Sequence, residues 1–131
     1  MDQKGTLKSG ARGTAAKILQ PEDLADQVGS GDLPVLATPV MAALMEKAAV
    51  DCVQKMLEEG TTSVGIRLDI SHLAATPEGM EIRAQAELTG VNGKKLVFTV
   101  QAWDEAELIG QGTHERVVVS RERFMDRVRG K

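Results

Sequence analysis

The 131-residue sequence predicts an α+β architecture, an antiparallel sheet wrapped around one long helix, on three observations. From Thr38 to Leu57 the apolar residues Met41, Leu44, Met45, Ala48, Ala49, Cys52, Val53, Met56 and Leu57 recur at i, i+3, i+4 and i+7. That spacing puts them on one face of a helix of about five turns. Beyond Gly60 the period changes to two, the signature of half-buried strands. Turn chemistry at Thr76-Pro77-Glu78-Gly79 and Asn92-Gly93 cuts that region into short antiparallel pieces.

In chain order, residues 1–10 (MDQKGTLKSG) read as loosely attached, and 11–19 as a weakly patterned strand. Pro21, followed by Glu22 and Asp23, starts a short helix, because an early proline and first-turn acids suit the helix dipole. The segment Gly29-Ser30-Gly31-Asp32 ends it. Thr38 is suited to cap the long helix, Pro39 fits its first turn, and Gly60 stops it. Val64, Ile66, Leu68 and Ile70 then alternate with polar or small residues, and His72 continues their inward parity. Met80 to Leu88 and Leu96 to Ala102 repeat the alternation on either side of the Asn92-Gly93 hairpin. A last strand runs from Leu108 to Val119, interrupted at Gly110 and Gly112, and residues 121–128 form a short terminal helix. One helix and four or five strands leave open sheet edges, and pairing with a second copy would close one of them.

Composition narrows the function. The length suits one domain over 1–131. Phe98, Trp103 and Phe124 are the only aromatics and the net charge is −3, which argues against nucleic acid as a partner. The ends differ from the middle. Residues 1–17 hold four basic groups and one acidic, residues 121–131 five basic and two acidic, so the span between carries −9. Such ends are either plain solvated termini or a cationic rim for a phosphate-bearing ligand. A single cysteine precludes an internal disulfide, and neither an export signal nor a membrane-spanning run is visible, so the expectation is a cytoplasmic protein with no membrane partner. Neither paired cysteines nor clustered histidines offer a metal site. Gly110-Gln111-Gly112 falls within a strand, where a bulge or a close approach explains it better than a dinucleotide loop.

Three polar residues fall where a plain core would not put them. Thr38 is explained by capping, yet amides of Val40 and Met41 at that helix start could also polarise a carbonyl oxygen. Glu46 borders the apolar stripe among Ala42, Ala49 and Val53, and either reaches solvent, pairs with Arg67, or acts chemically. His72 on an inward strand face is either a packed core histidine or a catalyst. Eight residues of helix separate Thr38 and Glu46 by roughly 12 Å. One reacting carbonyl cannot touch both within one chain, so cooperation between them requires Glu46 from a second subunit.

The runs LATPVMAALME, DISHLAATPEG, ELTGVNGKKL and GQGTHERVVV, with their spacings kept over about residues 35–128, resemble the fluoroacetyl-CoA thioesterase group of hotdog-fold acyl-CoA thioesterases. The resemblance implies a hotdog fold, a homodimer with active sites at the subunit interface, and no cofactor or metal beyond the coenzyme A of the substrate. It assigns catalysis to Thr38, Glu46 and His72, an acyl-pocket role to Gly65, and a role in the site to Arg116. Pro39 and Val40, at the helix start, join Gly65 and Arg116 as substrate-binding candidates, with Arg116 directed to the CoA phosphates. The family's fluoroacetyl-specific enzyme has a phenylalanine-rich lid before the threonine. Here that stretch is VGSGDLPVL, without an aromatic, which points to a different short or medium acyl group. The reading is hydrolysis of an acyl-CoA to free acid and CoA, with Glu46 as nucleophile or base. The alternatives are a hotdog hydratase or dehydratase, and a non-catalytic acyl-CoA-binding protein.

Overall fold

The computed structural model describes residues 7–131. Strand β1 (Arg12–Ile18) leads through a 3-10 turn (Pro21–Asp23) into a one-turn helix, α1 (Ala25–Val28). The long helix α2 (Thr38–Val53) follows, prolonged by a 3-10 turn (Gln54–Met56). Strands β2 (Thr61–His72), β3 (Glu81–Asn92), β4 (Lys95–Trp103) and β5 (Leu108–Ser120) then form the rest of the sheet, and α3 (Arg121–Arg129) ends the chain. The sheet is antiparallel throughout, in the order β1-β3-β4-β5-β2, so β1 and β2 are its edges. No helix among the described residues is long and apolar enough to cross a membrane.

Helix α2 lies on one face of this sheet, packed chiefly on β1 and β3. Met41, Leu44, Met45, Ala48, Ala49, Cys52 and Val53 are its buried residues, which is the stripe read from the sequence. They meet Ile82, Ala84, Ala86 and Leu88 of β3 and Leu96, Phe98, Val100 and Ala102 of β4, all essentially inaccessible. Alternation in those two strands therefore gives their faces correctly. Gly13 of β1 shows how close the helix comes: a Cβ there would lie 2.3 Å from the Ala48 carbonyl oxygen and the Cys52 nitrogen.

Several expectations need correction. Thr38 is the first helical residue rather than the cap: Ala37 holds the cap position, with no side-chain cap bond. A β-bulge between Gly65 and Arg67 switches the parity of β2, so Ile66, expected inward, is 54% exposed, while Ser63 is buried. The hairpin turn falls one residue late, because Asn92 still pairs with Lys95 and Gly93 takes the positive φ of 64°. Strand β5 runs unbroken through both glycines. They serve close approach: a Cβ on Gly110 would meet the Met41 sulfur at 2.5 Å, and one on Gly112 the Asp69 carbonyl at 2.1 Å. Of the N-terminal stretch read as loose, residues 1–6 lie outside the described residues. Residues 7–10 are tied to β3 by Gly10 N–H to the Leu88 carbonyl at 2.7 Å and by the Ser9 hydroxyl to the Thr89 carbonyl at 3.2 Å.

Candidate active site

The start of α2 is fixed by its neighbours on both sides. Leu36 N–H donates to the Thr76 carbonyl at 2.9 Å, and Ala37 N–H donates to the Asp23 carbonyl at 3.0 Å. The first bond holds the residues before the helix against the loop that follows β2, and the second holds them against the 3-10 turn Pro21–Asp23. The last residue of β2 thereby arrives beside the first residue of α2: Thr38 Oγ1 and His72 Nδ1 are 2.7 Å apart. The threonine hydroxyl is committed to the histidine and not to a helix cap. His72 Nε2 is buried with no hydrogen-bond partner among the described residues. Such an atom is costly to leave unsatisfied and marks where a further group belongs. Burial lowers the His72 pKa from its usual value, with the Ala74 backbone partly opposing, which favours the neutral ring.

A cavity of about 380 Å³ opens at this pair. Thr38 and His72 line it together with Ala25, Val35, Leu36 and Ala74. Ser30, from the segment matching the aromatic lid, also contributes. Pro39 and Val40 do not line it. The Val40 and Met41 amides, expected to face a substrate oxygen, both donate to the Ala37 carbonyl, at 3.0 and 3.2 Å. Proline has no amide proton. Thr38 N–H is thus the amide of this helix start without a backbone partner among the described residues.

Glu46 sits elsewhere. Two turns further along α2, its carboxylate faces β5 and the edge strand β2, with Oε2 3.6 Å from Arg116 Nη1. The expected alternative partner, Arg67, is instead 3.9 Å from Asp69 at the surface. Gly65 makes the room: a Cβ there would lie 2.7 Å from Glu46 Oε2, 3.3 Å from His114 Cε1 and 3.4 Å from Arg116 Nη1. Arg116, read as a phosphate ligand, is 7% exposed. Its guanidinium donates from Nε to Ser63 Oγ at 2.8 Å, from Nη2 to the Ser63 carbonyl at 3.0 Å, and from Nη1 to His114 Nε2 at 3.2 Å. It is therefore an internal fixture beside Glu46, closed off from a surface phosphate. Burial lowers its pKa and the Glu46 carboxylate works the other way.

The structure thus brings Thr38 to His72, and Glu46 to Gly65 and Arg116, as two separate groups. Both open on the edge strand β2. The bulge matters here: Gly65 pairs with Arg116 and His72 with Gly110, so the extra residue Ile66 places Gly65 and His72 on the same face despite their odd separation. Sequence reasoning missed Ser63 and His114. His114 shares parity with Gly110, Gly112 and Arg116, and that was its signal. Ser63 had none, because the bulge cannot be read from the alternation.

Solved structures resemble nearly the whole chain. The fluoroacetyl-CoA thioesterase FlK superposes with a TM-score of 0.90 at 35% identity, covering 97% of this chain and 98% of that one. A hypothetical protein of Thermus thermophilus, described as a thioesterase superfamily member, gives 0.88 at 28% identity, over 95% and 92% of the two chains. With the curled antiparallel sheet and long helix, these likenesses define the class: a hotdog-fold thioesterase, a thioester hydrolase. The model for the family described as fluoroacetyl-CoA-specific thioesterase matches residues 19–122, reaching further back than the motif runs. The fluoroacetyl-CoA thioesterase of Streptantibioticus cattleyicolor is 43% identical over 97 residues, covering 74% of this chain and 70% of the relative. The chain belongs to the fluoroacetyl-CoA-specific thioesterase family.

Proposed function

We propose that the protein hydrolyses a short or medium acyl-CoA at sites formed across a two-fold dimer, Thr38 and His72 from one subunit and Glu46 from the other. The observation that carries this reading is the buried Nε2 of His72, without a hydrogen-bond partner among the described residues, on a ring that Thr38 holds through Nδ1 beside a cavity. Support for an acyl-CoA substrate comes from FlK, variants of which are solved with acetyl-CoA and with fluoroacetate and CoA.

The separation of the two groups supports the dimer. His72 and Gly65 lie seven residues apart on β2, roughly 23 Å of strand. Among the described residues strand β2 pairs only with β5, which leaves its other edge to a second copy. With the bulge residue Ile66 left out of the ladder, antiparallel pairing of two copies about Asp69 sets His72 beside Gly65 of the partner subunit, and so beside Glu46 of the partner subunit. The exposed apolar residues Ile66 and Leu73, 54% and 52% accessible, lie on and just beyond that edge and would be covered.

In this arrangement the acyl chain enters the cavity and the thioester oxygen meets the Thr38 amide at the helix start. Glu46 supplies the carboxylate that adds to the carbonyl carbon or takes a proton from the water that does. Collapse of the adduct breaks the C–S bond, and the thiolate leaves as CoA with a proton passed through His72 Nε2. Where Glu46 is the nucleophile, water then cleaves the resulting anhydride, releasing the acid and restoring the carboxylate. No Lewis acid is needed in these steps, and no cofactor is proposed. Apart from Ser30, Thr38 and His72 the lining is aliphatic and holds no Phe, Tyr or Trp, which suits a short or medium acyl group other than fluoroacetyl. The arginines of α3 are exposed and available to the CoA phosphates, the role that buried Arg116 cannot take.

A thiol-release assay over a panel from acetyl- to octanoyl-CoA tests the reading. Turnover with a preference beyond acetyl supports it; saturable binding without released thiol across the whole panel overturns it.

A further inference from the structure

Ser63 and His114 belong to none of the roles above, yet both are buried, at 6% and 1% exposure, beside the one carboxylate the chemistry needs. Arg116 alone would be a poor anchor for Glu46. Its side chain is long, the ion pair is loose at 3.6 Å, and the Glu46 side chain is 43% exposed. The guanidinium is nevertheless held on three sides, by both oxygens of Ser63 and by the His114 ring.

His114 can play this part in one tautomer only. Its Nδ1 lies 2.8 Å from the Arg67 carbonyl, an acceptor, and therefore carries the proton. Nε2 is left with a lone pair, which accepts from Arg116 Nη1 at 3.2 Å. The Arg67 carbonyl stands at the β2 bulge, so the same irregularity that brings Gly65 to face Glu46 also fixes the histidine. Phe98 stacks on the ring at a centroid distance of 5.9 Å and keeps its plane. Burial lowers the His114 pKa against the opposing hydrogen bond to the Arg67 carbonyl, with the Arg116 charge adding to the lowering and Glu46 and Glu115 opposing it. The neutral ring is what the geometry needs.

We propose that Ser63 and neutral His114 are positioning residues that hold the Arg116 guanidinium against Glu46 and so aim its carboxylate at the thioester. The chain of contacts runs Arg67 carbonyl, His114, Arg116, Glu46, with Ser63 as the second clamp. Ser63 and His114 act through Arg116, the residue both of them hydrogen-bond. The inference rests on the proposed acyl-CoA hydrolysis for its consequence, though its geometry stands apart from turnover.

The test uses three variants, His114→Phe, His114→Gln and Ser63→Ala, each checked for fold and dimer by circular dichroism and sedimentation. His114→Phe keeps the stack on Phe98 and removes the acceptor. With the acyl-CoA that wild type turns over fastest, kcat falls about 100-fold, the cost of roughly 1 Å of misplacement, and KM stays within about threefold. His114→Gln, which can return an acceptor to the Nε2 position, recovers to within about tenfold of wild type. Ser63→Ala, which leaves the Ser63 carbonyl in place and so remains informative if a His114 variant fails to fold, loses about tenfold in kcat. Unchanged kcat in folded Ser63→Ala or His114→Phe overturns the proposal, as does a loss confined to KM. An independent reading comes from nitrogen-15 NMR of the imidazole. A neutral Nδ1–H tautomer of His114, with an Nε2 resonance that shifts in Glu46→Gln, supports the chain of contacts. An Nε2–H tautomer or an imidazolium at pH 7 overturns it. Should wild type release no thiol from any panel member, the hydrolysis reading fails while the NMR result still decides this one.

Discussion

The two halves of the sheet's inner face are built to different rules. Over β1, β3 and β4 the helix meets an apolar surface of small and branched side chains, packed without accessible gaps. Over β5 and β2 the same face carries Ser63, Gly65, Gly110, Gly112, His114, Arg116 and His72. Gly13 and Gly65 make the contrast sharp. Neither has space for a Cβ, but Gly13 faces the backbone of α2 whereas Gly65 faces the end of the Glu46 side chain. One glycine lets the helix pack; the other lets a carboxylate sit. Stability and chemistry are thus separated across one sheet, and substitutions on each side should report on one and spare the other.

The largest separation is expected at Glu46. Glu46→Gln should lower turnover by about 10³-fold, in the range for loss of a catalytic carboxylate, with little change in melting temperature because the side chain is partly exposed. A steady-state assay beside a thermal melt checks both. Ile82→Ala reverses the pattern. It empties a fully buried site on β3 and should cost about 2–5 kcal/mol by chemical denaturation with turnover little changed.

The glycines test the boundary between the halves. Gly13→Ala must push helix backbone aside and should destabilise by roughly 3 kcal/mol or more. Gly65→Ala displaces the tip of Glu46 and presses on the His114 ring at 3.3 Å but meets no backbone, so turnover should fall about tenfold while stability changes by about 1 kcal/mol, less than for Gly13→Ala. Equal effects of the two on unfolding would erase the distinction.

The smallest effect is acid sensitivity. Burial holds both His72 and His114 below their usual 6.5. The unfolded chain therefore binds protons that the folded one does not, so stability rises with pH through this interval. It should decline as pH falls below about 6.5 and level off beneath the folded values. His114→Gln should flatten part of that decline in denaturation curves measured across pH.

The apolar half was largely legible in the sequence, because a helical stripe and strict alternation are local patterns that packing only confirms. Ile82 to Leu88 and Leu96 to Ala102 face the helix as read. The polar half was legible in residues but not in geometry. Thr38, Glu46 and His72 stood out as polar groups in apolar settings, yet the Thr38 hydroxyl serves His72 rather than the helix end, since Ala37 takes the cap position. The bulge at Ile66 switched the parity of β2 and hid Ser63. Arg116 read as a surface cation because its burial depends on Ser63 and His114, contacts set by sheet register and invisible to spacing. The separation of Thr38 from Glu46 was readable, since helix rise alone fixes it, and it carried the argument for a second subunit.

That argument has a direct test. In a dimer with shared sites, mixing Thr38→Ala and Glu46→Gln subunits puts both lesions in one site and leaves the other intact. Random reassociation of the two inactive proteins should then restore about a quarter of wild-type turnover, since half the dimers are mixed and each has one working site. Recovery near that level is the predicted result. Turnover that stays at the level of the separate variants, with mixed dimers shown to have formed, would mean that each site draws Thr38 and Glu46 from one chain, and would contradict the account.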